Sequence, residues 1–237
     1  YQWAAVEHRG EAAWPRVCSC SGALDLFLQK KGAFYQNKSH WSAEPMAHIV
    51  PHWNFKGLEG KEIPVTVYTN CEELELFLNG KPLGKRQIEK YGHGEWSVEY
   101  TAGTLEVKGY IGGNEVCGDK RVTTGRPVAL RLIKDNDFTA NGSDIALFTC
   151  ECVDENGLTV PDAAEYVRFS VSAPAKIIGT GSDNCDHNNI ANTDRKMYMG
   201  KIRIAIKPKQ GQESFTLTAM SDNCGVCEKT VSLCAEN

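Results

Sequence analysis

A chain of 237 residues, 41% hydrophobic and 24% charged, has the balance of a globular protein and room for one large or two ordinary domains. A formal net charge of −4 leaves no electrostatic footprint for nucleic acid, and no apolar run approaches the roughly 20 residues that a membrane-spanning helix needs. Ten cysteines in so long a chain do not make a disulfide-stapled miniprotein, and their scatter through apparent strands favours free structural thiols and a reducing, cytoplasm-like compartment.

The chain opens without an initiator Met and mid-pattern, as a piece of a longer protein would. Tyr1 to Val6 is short and apolar, the end of a buried strand. Glu7-His-Arg-Gly-Glu11 then makes a charged turn, followed by Trp14-Pro15. Polar residues at the exit of a buried strand are where α/β barrels keep their chemistry, although a surface loop with an Arg–Glu pair is the plainer reading. Between Lys31 and Trp41 the pattern turns helical. Phe34, Lys38 and Trp41 fall at i, i+4 and i+7 with Tyr35 beside them, opposite Gln36, Asn37 and His40. That aromatic face is expected to pack on residues outside this chain, and Trp41 and Trp53 are expected to anchor one element on another.

Pro51 blocks further helix, and from Ile63 onward short alternating strands take over. Ile63, Val65 and Val67 alternate with polar partners, as do Leu74, Leu76 and Leu78, and Asn79-Gly80 is the strongest short hairpin signal in the chain. Trp96, Val98 and Tyr100, then Leu105 and Val107, continue the pattern to about Thr124. Gly125-Arg-Pro127 reads as a linker. After it come Val128–Leu132, Ile145–Val153, Val167–Val171, Phe215–Ala219 and Val226–Leu233, with Ile202, Ile204 and Ile206 the clearest half-buried strand. The expected fold is therefore mostly β, with two tandem immunoglobulin-like antiparallel sandwiches after a short loop and helix.

Two further stretches could carry chemistry. The loop Gly179 to Ile190 is polar, and Asp183, Asp186 and His187 are its candidate ligands for a hard cation. It lacks EF-hand spacing, and Asp and Asn dominate plain turns, so no metal is expected there. Cys224-Gly-Val-Cys227 has no second CxxC or His pair at zinc spacing, and is likewise expected to be structural.

Several motifs together resemble glycoside hydrolase family 2, of the β-galactosidase type. Tyr1-Gln-Trp-Ala-Ala-Val-Glu-His-Arg-Gly-Glu11, Trp14-Pro15, Ser19-Cys-Ser-Gly22 with Asp25, and Gly32-Ala-Phe-Tyr-Gln-Asn-Lys-Ser-His-Trp41 look like the last strand, loop and helix of that family's catalytic barrel. His48-Ile-Val-Pro-His-Trp-Asn54, Gly57-Leu-Glu-Gly-Lys61 and Leu74-Glu-Leu-Phe-Leu-Asn-Gly-Lys81 resemble the sandwich that follows it. The stretch from Gly125 to Ser182 resembles the bacterial Ig-like domain at the C-terminus of many members. The resemblance implies a barrel remnant at 1–49, a first sandwich at 50–125 and a second at 126–237. It implies a retaining β-glycosidase as parent, its two catalytic glutamates lying before Tyr1, so this chain holds no catalytic pair and Glu7 and Glu11 are not one. It places Trp3 as an aromatic wall of the sugar subsite. No cofactor is implied, the partner is a carbohydrate substrate of the full-length enzyme, and the exposed 1–41 segment would favour self-association of the separated chain. The alternative is a non-enzymatic Ig-like module for carbohydrate binding or adhesion.

Overall fold

Strand dominates the chain in the computed structural model, which describes residues 2–183 and 185–233. Contacts divide it into two units. The first takes the segment ending at His8 together with Cys20–Thr123, and the second takes Arg9–Ser19 together with the chain from Thr124 onward.

The first unit begins with β1 (Ala4–Val6) and β2 (Gly22–Leu24), paired in parallel with Ala4 opposite Gly22 and Val6 opposite Leu24. Only glycine fits at position 22, because a Cβ there would lie 2.4 Å from the Glu7 backbone nitrogen. Helix α1 (Gly32–Trp41) follows, as its spacing predicts. Gly32 lies under the Tyr68 ring, Tyr35 stacks on His48 with centroids 3.2 Å apart, and Ser39 is buried, whereas Trp41 is 71% exposed. Small residues at 32 and 39 let the helix backbone approach the sheet closely, and Trp41 is left outward. Trp41 is therefore not an anchor.

The sandwich of this unit is built from β3 (Ala47–Val50), β4 (Glu62–Thr69), β5 (Glu73–Leu78), β6 (Lys81–Gln87), β7 (His93–Glu99), β8 (Thr104–Ile111) and β9 (Asn114–Val122). One sheet has the order β3-β4-β7 and the other β6-β5-β8-β9, antiparallel throughout. Between them Ile49, Val65, Val67, Leu74, Leu76, Leu105 and Val107 are closed from solvent, the alternating residues of facing strands. Asn79 and Gly80 both take positive φ (50° and 77°), the conformation that a type I′ hairpin between β5 and β6 needs. Trp53 is 1% exposed; its indole N–H donates to the Thr101 carbonyl at 3.0 Å, and its ring meets Phe55 and Tyr100 edge-on.

Strand β3 lies at the edge of its sheet, and β9 supplies the partners its backbone lacks. The Ile49 N–H donates to Asp119 Oδ2 at 2.9 Å, and Arg121 donates to the Ile49 carbonyl at 2.7 Å. His48 sits in this cluster between Tyr35 and the Arg121 guanidinium. Burial first, then Arg121, push its imidazole down to about 4, with Asp119 pulling the other way. In the unfolded chain the same ring protonates near 6.5. The unfolded state thus binds the extra proton between the two values, and folding stability contributed by His48 is complete above about pH 6.5 and falls as pH drops toward 4. Thermal unfolding at about pH 7 and pH 5 should show a larger loss for the wild type than for His48→Phe, which keeps the stack and cannot titrate. Equal losses would remove His48 as the cause.

The second unit contains β10 (Ala129–Lys134), β11 (Ala146–Val153), β12 (Tyr166–Val171), β13 (Lys176–Gly181), β14 (Asp194–Lys196), β15 (Lys201–Lys207), β16 (Ser214–Ser221) and β17 (Gly225–Ser232). The sheets run β10-β11-β15-β13 and β14-β12-β16-β17. Apart from the short edge strand β14, this is the ABED and CFG strand order of a constant-type immunoglobulin domain. Phe148, Ile202, Ile204, Ile206, Phe215 and Leu217 fill the core, with Phe138, Phe148 and Phe215 in mutual ring contact. Glu151 on β11 is buried, yet paired with both Arg131 and Lys201 and bonded to Thr159; these partners hold its carboxyl below the usual range against the opposing effect of burial.

Candidate functional site

Trp3 immediately precedes β1 and is 67% exposed. The backbone that carries it is fixed by Gln2, whose Nε2 donates to the Ala4 carbonyl at 2.8 Å and to the Ser21 carbonyl at 2.5 Å. The Gln2 side-chain oxygen in turn accepts from Asn37 on α1 at 2.8 Å. Strand and helix thus fix the backbone beside a large indole that is exposed at the surface. Glu7 is buried and forms an ion pair with Lys31, which also donates to the Cys20 carbonyl at 3.1 Å. A carboxylate so engaged positions the start of α1 and is not presented to a ligand. Glu11 sits in an exposed turn with φ of 48°.

In the second unit, Arg9 bridges Cys18, and the Gly10 N–H donates to the Val17 carbonyl at 3.3 Å, so Arg9–Ser19 forms a closed loop. At its tip Trp14 is 82% exposed, with its ring 4.7 Å from that of His187. His187 Nε2 lies 2.7 Å from the Pro15 carbonyl. A carbonyl only accepts, so Nε2 is the donor of this bond.

The cation ligands considered from sequence do not converge as a metal set. Asp186 is taken by Arg195, whose guanidinium stands 2.7 Å from its Oδ2, and Asp183 Oδ1 accepts from the Cys185 backbone at 3.1 Å. Among the described residues no group of three His, Cys, Asp or Glu is placed to hold a metal ion. The organising residue of this loop, Arg195, carries no motif. Its side chain is 1% exposed and also donates to the Thr180 carbonyl (3.1 Å) and the Asn189 carbonyl (2.7 Å). Strand β13 extends through Gly181, so the loop begins at Ser182.

The cysteines come together more than their spacing showed. Cys152 Sγ lies 3.7 Å from Cys224 Sγ in the second unit, and Cys71 Sγ lies 3.3 Å from Cys117 Sγ in the first. Burial raises the thiols of Cys150, Cys152 and Cys224 and pushes Cys117 up to about 12, so these sulfurs stay protonated and poorly nucleophilic.

Against known families, residues 130–230 match glycoside hydrolase family 2 C-terminal domain 5, and residues 60–117 match a domain of unknown function, DUF4982. The chain is 32% identical over 243 residues to the beta-galactosidase BoGH2A of Bacteroides ovatus, covering all of this chain and 28% of that protein. It is 32% identical over 232 residues to a putative beta-glucuronidase of Formosa agariphila, covering 92% of this chain and 22% of that one. A solved family 2 member from Bacteroides cellulosilyticus superposes with a TM-score of 0.93 at 28% identity, over 98% of this chain and 36% of that one. The sandwich pair is thus of the kind found in the C-terminal region of large carbohydrate-active enzymes. The chain belongs to glycoside hydrolase family 2 and spans about a quarter of the length of the curated relatives it matches.

Proposed function

We propose that this chain is the C-terminal portion of a retaining β-glycosidase of the β-galactosidase type, in which residues 1–49 complete a (β/α)8 catalytic barrel and residues 50–125 and 126–237 form the two sandwiches behind it. The observation that carries this reading is the β1–β2 pair. Parallel strands occur almost only in sheets covered on both faces. Here two strands of three residues stand as a two-stranded parallel sheet, with Ala5 exposed and Trp3 and Trp41 more than two-thirds exposed in the same unit. Such a pair finds its cover, and the indoles find a purpose, when further barrel strands lie beside it. An adhesion module would have no use for either feature. On this reading Trp3 is a wall of the sugar subsite in the full-length enzyme, whose substrate is a carbohydrate. The acid/base and the nucleophile come from barrel strands outside this chain, about 5–5.5 Å apart as retention requires. In the separated chain the exposed Trp3 and Trp41 favour association of copies through residues 1–41, read as a concentration-dependent sedimentation coefficient.

Incubating the purified chain with a panel of aryl β-glycosides tests the assignment. No turnover above a buffer blank is expected, while the longer protein hydrolyses at least one member. Turnover by the chain that disappears in Glu11→Gln would overturn it.

A further inference from the structure

The second unit contains a pocket of about 520 Å³ that none of the chemistry above uses. Its lining includes Asp183, His187, Asn188, Lys196 and Tyr198, over Met197, and the size falls within the roughly 300–1,000 Å³ of small-molecule sites. Three features define what it would take. First, the lining carries little net charge: Asp186 is neutralised by the buried Arg195, and one further carboxylate, Asp183, and one ammonium, Lys196, line the same pocket, so it selects neither an anion nor a cation. Second, donors and acceptors are mixed, with carboxylate, amide, ammonium, phenol and the His187 imidazole lining one cavity. Third, His187 carries on its other side the 82% exposed Trp14 indole, a flat apolar face beside a polar cavity. The loop is also held before any ligand arrives, because Arg195 ties Asp186, Thr180 and Asn189 into one hydrogen-bonded frame, which lowers the ordering cost of binding.

We propose that this pocket, with Trp14 at its side, binds a neutral saccharide, giving the second sandwich a sugar-contact site of its own. The assignment of a saccharide rests on the carbohydrate-active reading of the whole protein.

The test is a two-dimensional NMR titration of the full chain with lactose, cellobiose and xylobiose, and with methyl β-glucuronide as the charged comparison. Saturable shifts are expected for the amides of Cys185–Asn188 and Lys196–Tyr198 and for the Trp14 indole N–H, with at least one neutral sugar. Trp14→Ala and Asp183→Asn should each weaken binding by about tenfold while thermal unfolding stays unchanged. No saturable shifts with any neutral sugar, shifts that persist undiminished in both variants, or binding confined to the glucuronide would each overturn the proposal. Hydrolysis by the longer protein with no binding here would sink the pocket alone. Binding here with no hydrolysis by the longer protein would sink the glycosidase reading and leave the pocket standing.

Discussion

Replacing Arg195 by leucine should lower the stability of the second unit by about 3–5 kcal/mol, the usual cost of removing one partner of a buried ion pair. The leucine fills much of the volume but leaves Asp186, 11% exposed at its side chain, without its counter-charge. It also abandons the Thr180 and Asn189 carbonyls that the guanidinium satisfied. The penalty is largely that of stranded groups, not of a lost attraction. A second change at Asp186 should therefore recover part of it: Arg195→Leu with Asp186→Asn is expected to be more stable than Arg195→Leu alone. Urea unfolding gives both numbers. A single-variant loss below about 1 kcal/mol would mean that the loop relaxes and rehydrates its polar groups.

Trp53 and Trp41 should behave as opposites although both are indoles near the same junction. Trp53→Ala empties a closed site between two sheets, removes ring contacts with Phe55 and Tyr100 and leaves the Thr101 carbonyl unbonded, a change expected to cost about 3–5 kcal/mol. Trp41→Ala removes a side chain that is 71% exposed, and surface changes of that kind usually stay within about 0.5 kcal/mol. A substantial loss for Trp41 in dilute monomer would show that α1 leans on it after all. In the longer protein the ranking should narrow, because the proposed barrel would bury Trp41.

These contrasts mark how far the amino-acid pattern reached. Strands such as Ile202–Ile206 and the Asn79-Gly80 hairpin were legible because period-two burial and positive φ are local demands, met by neighbouring residues. Strands β2 and β14 were not, since three residues cannot display a period; β1 was read only as a short apolar run. The face by which α1 packs within this chain was not legible for a related reason. Aromatic spacing measures how a helix would bury bulk, whereas within this chain the helix packs through half-buried Gly32 and Tyr35 and buried Ser39, close to its sheet. The attachment of Arg9–Ser19 to the second unit joins residues about 170 positions apart, as in the His187 to Pro15 bond, and no local signal encodes it. Arg195 was invisible because a Thr-Asp-Arg-Lys run reads as solvent-facing until the fold turns one of its members inward. The four cysteines on β11 and around β17 showed only that Cys150 and Cys152 share a face; what that face meets is a property of the sheet packing.

The side chains of Asp119 and Arg121 also blunt one sheet edge of the first sandwich. An outer strand with unclaimed amide and carbonyl groups is a template on which an extended segment of another molecule can add, the first step of strand invasion and of fibril growth. At Ile49 both groups are already claimed from within, so an incoming strand would have to displace a carboxylate and a guanidinium before gaining its first hydrogen bond there. At that point the border of β3 is closed to an added strand, and the ladder ends on side chains of its own sandwich.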